Sequence, residues 1–323
     1  KVHTIKSIMN QWGKEHMPFV FLIDFECKKP MCWKWSDTEN IFEFNFDGVT
    51  NQKKANTLNN NISSFNFEFN KKPIPFEDYK NKFNQIKKEI ELGNSFLVNL
   101  TAKTKIKSNY TIAEIYNRAN AKYTCYLKDE FVCFSPETFV KIKDGKIYSY
   151  PMKGTINAGI PDAKNIILND TKEISEHATM VDLIRNDLSR VAKNVRVNRY
   201  RYYEEIVTQD GNLGQVSSEI VGELEANYCE NIGEIIFDLL PAGSISGAPK
   251  QKTLNIIAAA EKEDRGYYTG IAGYYDGQNL DSTVLIRYLQ NDHYYRSGGG
   301  ITCNSEAQKE YEELIDKVYV PLF

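Results

Sequence analysis

The sequence predicts an α+β protein built on large, mainly antiparallel sheets. Short apolar or alternating runs of strand length recur from residue 19 to residue 289, and helical runs with spacings of three and four appear among them from residue 76 onward. No internal repeat and no Pro- or Ser-rich linker divides the chain. One unit covering 1–323 is therefore expected, with a short strand-rich part at 1–75 and the main region at 76–323.

The elements follow in order. Phe-Val-Phe-Leu-Ile at 19–23 is a buried run, and Ile-Phe-Glu-Phe-Asn-Phe at 41–46 alternates with the period of a half-buried strand. Residues 51–70 are rich in Asn and Lys and read as an exposed connection. Phe76, Tyr79, Phe83, Ile86 and Ile90 mark one face of a helix, and Gly93 sits where its C-cap belongs. Strands are expected at 95–100, 123–127, 131–134 and 138–143. A helix follows at 172–191, with Ile174, His177, Val181, Ile184 and Leu188 on one side. Helices at 233–240 and 249–263, strands at 270–275 and 283–289, and a helix at 305–318 complete the chain.

Composition excludes several function classes. Forty Lys+Arg against 43 Asp+Glu give a net charge of −3, so there is no basic stripe for nucleic acid and no polybasic patch for an anionic membrane. The run at 19–23 is far too short to span a bilayer. Six scattered cysteines without a C-x-x-C argue for reduced thiols, and four histidines without H-E-x-x-H argue against zinc. No signal-peptide pattern precedes the first strand, and a cytoplasmic location is expected.

Four stretches hold candidate chemistry. The decapeptide Pro-Ala-Gly-Ser-Ile-Ser-Gly-Ala-Pro-Lys at 241–250 leads into a helix, whose N-terminus could receive an anion; a tight turn with Pro at N1 explains it equally. A second stretch, Ser-Gly-Gly-Gly-Ile-Thr at 297–302, lies between a strand and a helix. Its glycines permit close approach of a ligand to the backbone, as they would permit a hairpin turn. Glu173 and Glu176 share one helix face, and Glu310 and Glu313 share another. Four carboxylates converging from two helices would suit Mg²⁺, although the same spacing is common on solvated helix faces.

Together these blocks, with Arg-Gly-Tyr-Tyr-Thr-Gly-Ile-Ala-Gly-Tyr at 265–274 and the segment 298–317, resemble in order the blocks of the chorismate-utilising enzymes, from about residue 76 onward. That family includes anthranilate, aminodeoxychorismate, isochorismate and salicylate synthases. The resemblance implies antiparallel sheets packed as a sandwich with helices outside. It also implies Mg²⁺ held by Glu176 and Glu313, with Glu173 and Glu310 acting largely through its water ligands.

Pro-Met-Lys-Gly-Thr at 151–155 carries Lys where aminodeoxychorismate synthases have it and anthranilate synthases have Ala. By resemblance, Lys153 adds to C2 of chorismate, Glu137 protonates the departing C4 hydroxyl, and ammonia opens the adduct at C4. Such a lysine must be partly neutral, which desolvation or a nearby cation would favour. Arg287 is implied as a bidentate clamp on one substrate carboxylate. Gly154, Thr155, Ser244, Tyr268, Lys317 and the backbone of Gly298, Gly299 and Gly300 complete the substrate site.

The product would be 4-amino-4-deoxychorismate, for 4-aminobenzoate and folate synthesis. No glutaminase motif is present, so ammonia is expected free or from a separate glutamine amidotransferase subunit. The alternatives are anthranilate synthesis and a catalytically silent chorismate-binding subunit. Two departures bear on the choice. Leu97 stands where ammonia-using relatives carry Gln, and Gln215 where relatives carry His, leaving His177 as the main histidine of the site.

Overall fold

The structure is a computed structural model that describes residues 1–52, 67–208 and 211–322. Most of the Asn-rich connection expected at 51–70 lies outside the described residues.

Two nine-stranded sheets, antiparallel at every described pairing, form the framework. The first runs Met152–Asn157, Gly211–Glu223, Lys146–Ser149, Thr138–Lys143, Leu280–Val284, Ile271–Tyr275, Phe19–Ile23 and Met31–Lys34, with Lys193–Thr208 paired to Gly211–Glu223. The second runs Gly247–Ala248, Leu97–Ser108, Tyr294–Ile301, Tyr288–Gln290, Phe131–Ser135, Tyr123–Leu127, Phe42–Phe46 and Val49–Thr50, with Phe69–Lys72 against Leu97–Ser108.

Strand periodicity explains how the sheets meet. Val20 and Leu22 point from the first sheet into a cluster with Phe42, Phe44, Phe46, Tyr123 and Cys125 of the second. Tyr274 stacks on Phe44 and Phe46 across that gap. Each of the three phenylalanines is fully buried and contributes about 1.5–3 kcal/mol. Phe19, Phe21 and Ile23, on the alternate positions, join the helices in a larger cluster.

Helix Phe76–Glu91 buries Tyr79, Phe83, Ile86 and Ile90, the face the spacing predicted. Helices Thr171–Leu188, Ile232–Asp238, Lys250–Glu261 and Ala307–Asp316 fall where expected, with ends that differ by a few residues from the apolar pattern. A helix, Val2–Lys14, opens the chain where only strands were read. Its Met9 and Gly13 are buried, and Gly13 lies so close to the Cys229 carbonyl that a Cβ would be 2.0 Å from that oxygen. The long hairpin of Lys193–Thr208 and Gly211–Glu223 was not anticipated either.

Two local readings need correction. The strand expected at 283–289 is broken: Leu280–Val284 belongs to one sheet and Tyr288–Gln290 to the other, with Arg287 at φ +54° where the chain changes sheets. Gly298, Gly299 and Gly300 lie inside the strand Tyr294–Ile301, opposite Thr101, Leu100 and Asn99. A Cβ at Gly298 would stand 2.6 Å from the Leu100 carbonyl oxygen, so close strand approach excludes larger residues there.

Candidate active site

A cavity of about 1160 Å³ is lined by both sheets and by helices Thr171–Leu188, Gly243–Ser246 and Ala307–Asp316. The catalytic, substrate and metal residues expected from sequence all lie on its wall except Glu310. That residue stands behind the wall, its Oε2 3.5 Å from where a Gly299 Cβ would be.

Glu137 enters the cavity at the start of strand Thr138–Lys143. Its backbone is fixed on both sides: its N–H donates to Ser135 Oγ at 3.1 Å, and its carbonyl accepts Thr283 Oγ1 at 2.7 Å. The Ser244 hydroxyl donates to Glu137 Oε1. Burial raises the Glu137 carboxyl above its ordinary pKa; the bond from Ser244 and the charges of Arg287 and Lys317 draw it back without cancelling that effect.

Lys153, on strand Met152–Asn157, pairs with Glu176 at 2.7 Å. Burial pulls its pKa down, but Glu176, Glu173 and Glu313 outweigh burial and hold the ammonium above its ordinary value. In this arrangement the nearest partner of the Lys153 amine is a carboxylate and not a cation.

The acidic residues are organised by helix caps and glycines. Asp170 caps Thr171–Leu188 by accepting the Glu173 N–H at 2.9 Å, which fixes the first turn that carries Glu173 and Glu176. Gly154 has φ +89°, and a Cβ there would lie 3.0 Å from Glu173 Oε2. Glu313 pairs with Lys317 at 2.6 Å, and Lys317 also donates to the Gly298 carbonyl at 2.9 Å. Burial raises Glu173 and Glu310. For Glu313, the opposing effect of burial is outweighed by Lys317, and its pKa is lowered.

Among the described residues no three His, Cys, Asp or Glu side chains are gathered as a metal site. The donor set nevertheless fits a hard cation. Glu173 Oε2 is buried with no hydrogen-bond partner, and Lys153 and Lys317 supply the positive charge beside Glu176 and Glu313.

Arg287 forms no ion pair with a carboxylate among the described residues, and its Nε is buried without an acceptor. Tyr268 is buried on the same wall. Thr155 lines the cavity beside Gly154 and pairs in register with Gln215.

Four other residues singled out in the sequence lie off the cavity wall. Gln215 is off the cavity wall and donates to Glu204 at 3.5 Å. His177 is also off the wall: it is fully buried, its Nε2 is 2.7 Å from Ser218 Oγ, and burial, followed by the Arg201 charge, pushes its pKa down to about 4. It is a neutral packing residue. Lys250, at the end of the glycine-rich stretch, pairs with Asp187 at 2.8 Å, so it is committed inside the protein. Gly247 in that stretch has φ +134° and would place a Cβ 1.8 Å from the Leu97 carbonyl oxygen; its role is strand pairing.

Asn99 and Tyr319 are among the wall residues that sequence reading passed over. Asn99 lies two residues beyond Leu97 on the same strand, and its Oδ1 is buried without a donor. The period of two could have found it. Tyr319 follows the last helix and belongs to no motif.

Comparison with known proteins bears on the family and the fold. The family model for chorismate binding enzymes matches residues 29–322. The chain is 49% identical over 317 residues to the "Uncharacterized PabA-like protein" of Haemophilus influenzae, covering 97% of this chain and 95% of that one. It is 32% identical over 260 residues to aminodeoxychorismate synthase component 1 of Klebsiella aerogenes, covering 75% of this chain and 56% of that protein. The crystal structure of anthranilate synthase component I from Streptococcus pneumoniae superposes with a TM-score of 0.65 at 27% identity, covering 77% of this chain and 58% of that one. Among the described residues no helix is long and apolar enough to cross a membrane. A match over nearly the whole chain, on a fold of two antiparallel sheets with flanking helices, shows that this protein belongs to the chorismate binding enzyme family.

Proposed function

We propose that this chain converts chorismate and ammonia to 4-amino-4-deoxychorismate and water, as an aminodeoxychorismate synthase component I. The observation that carries the reading is Lys153 on the wall of the cavity that also holds the Glu137 carboxyl. The similarity to the Klebsiella aerogenes enzyme supports it.

In this reading the Lys153 amine forms a bond to C2 of chorismate as both ring double bonds shift by one position, C1=C2 to C1=C6 and C5=C6 to C4=C5, and the C4 oxygen leaves. Glu137, whose pKa burial raises, gives that oxygen the proton with which it departs as water. Ammonia then bonds to C4, both double bonds shift back, the Lys153 nitrogen leaves C2 as the neutral amine, and the new C4 ammonium returns a proton to Glu137. Arg287 binds a substrate carboxylate through its paired N–H groups, and Ser244 keeps Glu137 oriented. Glu176 and Glu313, with Glu173 and Glu310 behind them, would hold Mg²⁺, whose chemistry there is a counter-charge to the substrate. With Glu176 committed to the metal, the Lys153 amine would lose the partner that keeps it protonated.

Ammonia would come from free ammonium or from a separate amidotransferase subunit, and 4-aminobenzoate would need a separate lyase. Substitution Lys153→Ala tests the nucleophile. Product formation at saturating ammonium should fall at least about a hundredfold, whereas unchanged turnover would remove Lys153 from the chemistry.

A further inference from the structure

We propose that Tyr319 is a positioning residue of the substrate-carboxylate site: its ring holds the Arg287 guanidinium in place at the rim of the cavity. The inference rests on the reading of Arg287 as the carboxylate clamp.

Arg287 is an unusual cation. It sits at φ +54° in the crossing between the sheets, on the wall of the cavity, with a buried Nε that has no acceptor. No carboxylate of the described residues forms an ion pair with it. Glu137 acts on it only as part of the wider field, since no hydrogen bond joins the two. Its close partner is Tyr319: the guanidinium carbon lies 5.3 Å from the centre of the ring, and the Tyr319 hydroxyl also interacts with the guanidinium. An aromatic face attracts a guanidinium while leaving the N–H groups along its edge free to meet a carboxylate in bidentate fashion.

Tyr319 is built into that position. It follows helix Ala307–Asp316, and its carbonyl accepts the hydroxyl of the fully buried Tyr295 at 2.8 Å. Two residues on, the Pro321 carbonyl accepts the Asn120 N–H at 2.8 Å, and Leu322 bridges to Ala119. The backbone is therefore pinned at and beyond this residue, yet the side chain stays 44% exposed. An aromatic ring held at a cavity rim by a fixed backbone, with a cation against its face and part of its surface in solvent, contributes little to the core. Its contact is with the residue that would bind substrate.

The test measures chorismate binding by titration calorimetry with Mg²⁺ and without ammonia, alongside steady-state kinetics with ammonium. Tyr319→Phe keeps the ring and loses the hydroxyl interaction, so its binding should fall between that of the wild type and that of Tyr319→Ala. Tyr319→Ala and Tyr319→Leu should weaken binding and raise KM about tenfold, as expected for loss of a cation–π contact, with kcat changed less than about twofold. In an Arg287→Lys background the effect of Tyr319→Ala should shrink, since the two residues act as a pair. Wild-type binding by Tyr319→Ala, or a fall in thermal stability and kcat with binding unchanged, would overturn the proposal. So would a full tenfold loss from Tyr319→Ala in the Arg287→Lys background. Failure of the underlying reading has a different signature: Arg287→Lys alone would bind chorismate as tightly as the wild type.

Discussion

Lys153 and Glu137 lie on one wall under opposite electrostatic control. Carboxylates shift Lys153 toward its charged form, and burial shifts Glu137 toward its neutral form. For an acid in this role the sign is clear. A raised pKa keeps the proton on Glu137 at higher pH, so activity should decline as pH rises through that value. Glu137→Gln cannot donate a proton and should lower kcat by about 10²–10⁴, measured with ammonium at saturation. Stability should move in the same direction. A carboxyl whose folded pKa is raised gives stability that is complete below its unfolded pKa and lost as pH rises through the folded one. Glutamine is neutral throughout, so the melting temperature of Glu137→Gln minus that of the wild type should be larger at about pH 8 than at about pH 5. A difference that shrinks with pH would contradict the burial assigned to Glu137. Most residues of this wall were legible because each sits in a motif. Tyr319 was not, because an aromatic residue after the last helix carries no pattern, and Asn99 was passed over beside the more conspicuous Leu97. For His177 the helical spacing marks the apolar face, and burial of that face favours packing over a place on the wall.

Secondary-structure elements hold the wall together through a few buried contacts. Arg265 and Glu261, almost fully buried, pair at 2.7 Å. Glu261 also accepts Thr101 N–H and Oγ1, and Arg265 donates to the carbonyls of Asn99 and Ile245. This network ties helix Lys250–Glu261 to strand Leu97–Ser108 and to the short helix that carries Ser244. Removing one partner strands a buried charge, so Glu261→Ala should cost about 3–5 kcal/mol in chemical denaturation. A loss below about 1 kcal/mol would mean that the pair is not the tie inferred. Gly154→Ala probes the acidic side. Its φ of +89° and the 3.0 Å approach to Glu173 Oε2 predict a loss of about 1–2 kcal/mol and weaker Mg²⁺ binding by calorimetry. Wild-type stability and Mg²⁺ binding in that variant would show that the close packing is not needed. Helices and strands with a clear period were legible at this scale. The break at Arg287 was not, because 283–289 alternates well enough for one strand while the chain leaves one sheet for the other. The glycine run looked like a loop because close strand approach and loop flexibility select the same residue.

At the scale of the molecule, two antiparallel sheets meet over an aromatic core, and the cavity draws residues from both. Periodicity alone pointed to the fold class, since alternating and helical runs were interspersed without a linker. The sandwich itself was legible only through the family resemblance, because pairings such as Leu280–Val284 with Thr138–Lys143 join strands far apart in the chain. The N-terminal helix escaped because its apolar positions, Val2, Ile5, Met9 and Trp12, are diluted by lysine and asparagine. The measurement that bears most directly on the proposed chemistry is mass spectrometry of the products formed from chorismate, Mg²⁺ and ¹⁵N-ammonium, with and without an added aminodeoxychorismate lyase. A chorismate-derived product carrying ¹⁵N at C4, converted to 4-aminobenzoate only when the lyase is added, is the predicted result. ¹⁵N-anthranilate with pyruvate, or no turnover, would contradict it.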